Sequence, residues 1–352
     1  MNHHRIFGDC RDSLASLEAG SVQCCITSPP YWGLRSYLPV DHPLKAREIG
    51  AEKTPEEFVA ALVDVFRGVR RALRDDGVLW LNLGDTYAMG TRGAGGRGKS
   101  KAYPGSDLPD RSWQVPDGAK PKDLLLIPYR VAMALQADGW YLRASIPWVK
   151  ANVMPASVTD RPTVAHESIF LLTKSARYFY DVDAVRMVSI CDRNYPSREE
   201  RKATGSPMRR GDPGVSGDVT RGAGIGCNPA GRNRRTSDWW NESIALAIEE
   251  LQAAQAGGLF HDADGAPLGL NVNTKPYPGA HFAVFPPKLA EPCVKAGSRP
   301  GDTILDPFGG SGTTAQVAEK LGRDSIVCEL DERCDALMDD RLGKQLSIAG
   351  AA

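Results

Sequence analysis

No stretch of this 352-residue chain stays apolar for about 18 residues, so no segment is expected to cross a membrane as a helix. The opening residues MNHHRIFGDC have no apolar core of the kind a secretory signal carries, and the expected location is the cytoplasm. The eight cysteines are scattered, and no two have the C-x2-C spacing of a zinc site. Reduced, mostly buried thiols and no metal are the expectation. Net charge is also lacking, because 43 Lys and Arg face 43 Asp and Glu. A nucleic-acid partner would need a local basic patch, since no global field draws it in. The glycine-rich turn DPFGGSGTT has no lysine after its last glycine, which argues against a P-loop and against ATP or GTP.

Hydrophobic residues make up 42% of the chain, enough for a sizeable core. The first third alternates strand and helix. SVQCCITS reads as a buried strand, and TPEEFVAALVDVFRGVRRALRDDG as a helix capped by Thr54 and closed by Gly77. VLWLNLGD reads as the next strand, DLLLIPYRVAMALQADG as a second helix, and WYLRASIPWVK as a third strand. ESIFLLTK and RYFYD are spaced like the two strands of a hairpin. Residues 88–120 have the composition of a long mobile loop. Residues 186–275 have weak periodicity, and their first part is basic in an otherwise neutral chain. From residue 301 the rhythm resumes as strand, glycine turn, helix and strand. The expected fold is α/β, a doubly wound and mostly parallel sheet. It divides into residues 1–185, an insertion over 186–275, and a closing half over 276–352.

The glycine turn follows an apolar strand and opens a helix. Glu329 ends the next strand, where an acid can accept hydrogen bonds from both hydroxyls of a ribose. Glycines let the backbone approach a ligand closely. Nothing in the turn demands a pyrophosphate, so a nucleoside with a compact tail suits it. S-adenosylmethionine is such a molecule, and Asp306 is placed to meet its ammonium end.

The second unusual stretch is TSPPYWGL, which ends the first buried strand. Transfer of a methyl group to an exocyclic base amine needs acceptors for the amine N–H bonds, because the nitrogen lone pair is delocalised into the ring. Ser28 Oγ and the Pro29 carbonyl are candidate acceptors. Pro29 and Pro30 fix φ, so the carbonyl is rigidly aimed. Tyr31 offers a flat face for an extruded base. Trp32 either helps or only packs. Cys24 and Cys25 read as buried strand residues, not as attacking thiolates. Asp85 in LNLGDTY is read as a loop-orienting residue with no chemistry. His281 is read as a backbone anchor.

These two motifs resemble those of the amino-group DNA methyltransferases, which modify N4 of cytosine or N6 of adenine. TSPPYWGLRSY is similar to their Asp/Asn/Ser-Pro-Pro-aromatic tetrapeptide in its serine form, and DPFGGSGTT to their F-x-G-x-G motif. The catalytic motif precedes the cofactor motif, an order that resembles the permuted beta subgroup. The resemblance implies S-adenosyl-L-methionine as cofactor and double-stranded DNA as substrate, with a cognate restriction endonuclease as a candidate partner and a monomer or homodimer as assembly. It implies cofactor contacts from Asp9, Thr27, Phe285, Pro286, Asp306, Phe308, Gly310, Gly312, Thr313 and Glu329. It makes Trp148, in SIPWVKAN, a second stacking face beside Tyr31. The basic insertion takes the place of a target-recognition region. Arg35, Lys150, Arg209, Arg210, Arg232, Arg234 and Arg235 are then the candidate DNA-binding residues. A serine at the first motif position favours N4 of cytosine over N6 of adenine. An RNA or protein amide methyltransferase, and a non-catalytic nucleic-acid binder, stay open as alternatives.

Overall fold

The computed structural model describes residues 1–33, 36–88, 115, 119–150, 160–185, 270–271 and 286–342. Its centre is one sheet with strand order β1-β8-β7-β2-β3-β5-β4-β6. In chain order the strands are β1 (His3–Phe7), β2 (Val22–Thr27), β3 (Leu73–Leu83), β4 (Tyr141–Val149), β5 (His166–Thr173), β6 (Leu270–Asn271), β7 (Thr303–Asp306) and β8 (Asp324–Glu329). The helices are α1 (Cys10–Ser16), α2 (Pro55–Ala72), α3 (Ile127–Ala137), α4 (Pro287–Gly297), α5 (Thr313–Lys320) and α6 (Asp335–Leu342). Pairing is parallel from β1 through β3 and between β4 and β6, and antiparallel where β5 joins β3 and β4.

Both faces of the sheet are covered, which is why β2 is buried along its whole length. Side chains alternate across it. Cys25 faces a core built from α1, α2 and α3, with Leu14, Phe58, Leu62, Phe66 and Leu135. Cys24 and Ile26 face the opposite core, with Leu289, Val294 and Val317 from α4 and α5. Burial pushes both thiols up, so they stay protonated core residues as the sequence suggested. Among the described residues no helix is long and apolar enough to cross a membrane.

Three expectations about elements change. The helix after Thr54 stops at Ala72, not Gly77, because Leu73 turns extended (ψ 143°) and pairs with Val22. Its start is as read, with Thr54 and Glu57 forming a capping box. The second helix begins only at Ile127, with Pro128 in its first turn, where the missing N–H has no cost. RYFYD is not a strand. β5 pairs with β3 and β4 instead, and Phe179 and Asp181 are tied by single backbone bonds to Asp76 and Ala296. Of the expected loop over 88–120 and the expected insertion over 186–275, almost all lies outside the described residues. The exceptions include Leu270 and Asn271, which pair with Trp148 and Val149 at the sheet edge.

The glycine turn depends on close packing. A Cβ on Gly309 would lie 1.8 Å from Val327 Cγ1 on β8. Gly309→Ala is therefore expected to destabilise the fold by about 1–3 kcal/mol. Val327→Ala in the same chain should recover part of that loss. Urea unfolding of the single and double variants checks both.

Candidate active site

β2 and β7 are neighbours, but the chain leaves them in opposite directions, through α2 to β3 and through α5 to β8. The crevice at the carboxyl ends of two such strands is where open α/β sheets bind ligands. The ends of β2 and β7 are Thr27 and Asp306, and they are bonded to each other. Thr27 Oγ1 donates to Asp306 Oδ1 at 2.7 Å, and Thr314 Oγ1 donates to Oδ2 at 2.7 Å. The Phe308 N–H adds a third bond at 3.1 Å. Burial pushes the Asp306 carboxyl above its ordinary range, and the three donors only partly offset it. Asp306, expected at the ammonium end of the cofactor, is 5% exposed and engaged on both oxygens, and it braces the turn.

Gly310 and Gly312 adopt left-handed conformations, φ 52° and 80°, and α5 starts at Thr313. The Gly310 N–H donates to Glu329 Oε2 at 2.7 Å and the Asp331 N–H to Oε1 at 3.0 Å. Burial raises the Glu329 carboxyl to about 7, against the two N–H bonds. Beside it, Gly8 N donates to the Glu329 carbonyl, and Asp9 caps α1. Asp9 differs from Glu329. Burial pushes it up, but Arg11 (2.6 Å) and Arg47 outweigh burial and hold it below the ordinary carboxylate range. Thr313 accepts from Arg341 Nη1 at 2.8 Å. Phe308 packs on the core, and Pro286 caps α4.

At the tip of β2, Ser28 sits in a polar cluster. Ser28 Oγ donates to the Tyr31 hydroxyl at 3.4 Å, and Asn82 Nδ2 donates to Ser28 Oγ at 3.3 Å. Tyr31 donates to Glu167 Oε2 at 2.5 Å. Asn82 Nδ2 also lies 2.9 Å from the Tyr31 hydroxyl and 3.0 Å from Glu167 Oε2. Lys150 pairs with Glu167 Oε1. Burial, then the Glu167 charge, pushes the Tyr31 phenol well above its ordinary value, so it stays a donor. The ring of Tyr31 lies against Gly84, where a Cβ would be 2.5 Å from Cε2. Pro30 packs on Gly50, whose carbonyl accepts from Gly33 N–H at 3.0 Å. Pro29 is buried.

One further expectation changes here. Trp148 is 3% exposed and packed among Ile26, Trp80 and Ile169, with Lys150 Nζ 4.4 Å from its ring centroid. It is a core residue and presents no open face for stacking. Lys150, expected on DNA, pairs with Glu167. Trp32 packs against the core and donates to the Glu52 carbonyl at 3.0 Å. Asp85, read as a loop-orienting residue, accepts from the N–H groups of Thr86 and Ile127 at the start of α3. Arg35, Arg209, Arg210, Arg232, Arg234, Arg235, His281 and Phe285 lie outside the described residues. The sequence reading missed Asn82, Gly84 and Glu167. Only the strand-end LNLGD hinted at the first two.

Comparison with known proteins agrees with this geometry. The N6_N4_Mtase family model, a DNA methylase, matches residues 22–338. Type II methyltransferase M.SmaI of Serratia marcescens is 39% identical over 337 residues, 96% of this chain and 89% of the relative. Type II methyltransferase M.Cfr9I of Citrobacter freundii is 40% identical over 342 residues, 97% of this chain and 88% of the relative. The fold is similar to that of the PvuII cytosine-N4-specific DNA methyltransferase, with TM-score 0.56 and 16% identity over 100% of this chain and 89% of that one. A Thermus thermophilus DNA modification methylase complexed with S-adenosyl-L-methionine gives TM-score 0.50 and 20% identity, covering 97% of this chain and 93% of that one.

S-adenosylmethionine is the cofactor of this fold, and the residues present fit it. A buried acid ends β8, left-handed glycines open the turn, and the amino end of α5 follows. Because the Glu329 carboxyl is raised to about 7, the neutral form prevails below that pH and offers weaker acceptors for two hydroxyls. Cofactor affinity is expected to rise between pH 6 and pH 8. Glu329→Gln should bind more weakly and lose that pH dependence, as titration calorimetry across the range would reveal.

Proposed function

The chain belongs to the N6/N4 DNA methylase family, and from that premise we propose that it moves a methyl group from S-adenosylmethionine to N4 of a cytosine flipped out of duplex DNA. The observation that carries this reading is the seam. Thr27, bonded to Asp306 of the glycine-turn strand, is followed directly by Ser28, so the acceptor hydroxyl and the cofactor turn share one rigid edge. The cofactor supplies the electrophilic methyl. Ser28 Oγ takes a hydrogen bond from the exocyclic amine, localising its lone pair, with the Pro29 carbonyl as the second acceptor. Tyr31, braced on Gly84, stacks on the base. A hydroxyl in place of a carboxylate at Ser28 supports cytosine over adenine as the target. Asp9, Thr27, Pro286, Phe308, Gly310, Gly312, Thr313 and Glu329 line the cofactor's side of the crevice in this reading.

In chain order the serine motif precedes the glycine turn, an order that supports membership of the permuted beta subgroup. Residues 186–275 are the target-recognition region in this proposal, and their arginines hold the phosphates of duplex DNA. The relatives named as Type II methyltransferases support a restriction-modification setting in the cytoplasm.

Expression in a methylation-free host, followed by nucleoside mass spectrometry, should give N4-methylcytosine. N6-methyladenine in its place would overturn the choice of base. Ser28→Ala should slow methyl transfer by roughly 10²–10³-fold with cofactor affinity unchanged, and an undiminished rate would remove Ser28 from the acceptor role. Gly84→Ala, which drives a methyl into the Tyr31 ring, is expected to lower the methylation rate severalfold while calorimetry still records normal cofactor binding.

A further inference from the structure

The cluster around Ser28 is directional. Ser28 Oγ donates to Tyr31, Tyr31 donates to Glu167, and Glu167 pairs with Lys150. Both hydroxyl donations therefore run toward one carboxylate. Nothing in the glycine turn or the Ser-Pro-Pro-Tyr motif accounts for that carboxylate. It is the second residue of the antiparallel strand β5, 136 residues from Tyr31 in sequence.

We propose that Glu167 is the terminal acceptor of the proton released by methyl transfer, reached from the amine through Ser28 and Tyr31. The proposal rests on Ser28 receiving an exocyclic amine, whichever base carries it. The balance is simple. A nitrogen–carbon bond forms as the methyl–sulfur bond breaks, and the sulfonium becomes a neutral thioether. The amine, now positive, loses one N–H proton to Ser28 Oγ. Ser28 passes its own proton to the Tyr31 oxygen, and Tyr31 passes its proton to Glu167 Oε2. Neither hydroxyl changes its charge overall, so neither must ionise by itself. This matters for Tyr31, whose phenol is held far from ionisation.

The surroundings of Glu167 suit such a sink. Its side chain is 14% exposed and that of Lys150 22%, so the pair lies at the rim, where the proton can pass on to water. Asn82 donates to Ser28 Oγ, to the Tyr31 hydroxyl or to Glu167 Oε2 and holds the three oxygens together. Glu167 touches no reacting atom, so it acts through Tyr31 as a positioning residue with a proton to receive.

Glu167→Gln separates basicity from shape, because the amide oxygen still accepts from Tyr31 but binds no proton. Tyr31→Phe cuts the wire and keeps the ring. Single-turnover methylation of unmethylated genomic DNA with methyl-labelled cofactor counts all methyl groups regardless of base. The expected result is a fall of about 10²–10⁴-fold in rate for Glu167→Gln. Cofactor and DNA dissociation constants should stay within about twofold, and Glu167→Asp should recover part of the rate. Tyr31→Phe should fall comparably, and the double variant should be no slower than the worse single one, as for residues acting as a unit.

A wild-type rate in Glu167→Gln overturns the proposal. So does a loss matched by weaker cofactor or DNA binding, which would make the residue architectural. A fast Tyr31→Phe beside a slow Glu167→Gln overturns the relay. Nucleoside analysis of the wild-type product reports the target base separately, so an adenine product would defeat the cytosine reading and leave these comparisons intact.

Discussion

One hydrogen bond, from Thr27 Oγ1 to Asp306 Oδ1, joins positions 279 residues apart and sets what the rest of the site can do. The two strands it links are adjacent and parallel, so their carboxyl ends reach the same edge. A buried carboxylate cannot be left unpaired, and Asp306 is satisfied by Thr27 from one motif and by Thr314 and Phe308 from the other. The backbone entering Ser28 is thereby placed against the backbone of the glycine turn. Methyl transfer needs donor and acceptor held in line, and a mutual brace of this kind restricts their separation without touching either.

Among the carboxylates along this edge, the environments differ. Asp306 is sealed by hydroxyl and N–H donors and serves architecture. Asp9 is neutralised by two guanidinium groups and caps α1. Glu329 meets only backbone N–H groups, and burial leaves it near 7, ready to gain from further donors. Glu167 faces a lysine and a phenol. The same functional group is thus a brace in Asp306 and a cap in Asp9, and in the proposed chemistry it is a ligand acceptor in Glu329 and a proton sink in Glu167.

The legible part of the fold was the part coded by short-range pattern. The βαβ unit from Thr303 to Glu329 and the buried strand before Ser28 could be read because apolar runs, glycines and prolines are contiguous there. Cofactor and chemistry class followed from those two motifs. What escaped was the partnership made by antiparallel pairing. In the register of β3, β5 and β4, Leu83 faces Ser168 and Glu167 faces Trp148. That register brings Asn82, Glu167 and Lys150 to Ser28, and no spacing rule along the chain announces it. Reading RYFYD as a hairpin partner for β5 hid the true neighbours. Trp148 was misjudged because an aromatic in a polar-looking segment is as readily core as stacking surface. Lys150 pairs with an internal acid, a partner that its position near the motif does not reveal.

The serine form of the motif makes the location of Glu167 intelligible. An aspartate in that position would carry its own negative charge against the amine. A hydroxyl is neutral, and in the proposed relay the negative charge stands elsewhere, on Glu167. There Tyr31 makes the connection and would meet two demands at once, a flat face for the base and a hydroxyl for the wire. Both fix the same ring, because its face is set by Gly84 and its oxygen by Asn82 and Glu167. A Phe at this position would keep the face and lose the link, and an Ala at Gly84 would keep the link's partners and lose the face. The hydroxyl motif on β2 and the acid on β5 are therefore one chemical unit divided between two strands, and the antiparallel register holds it together.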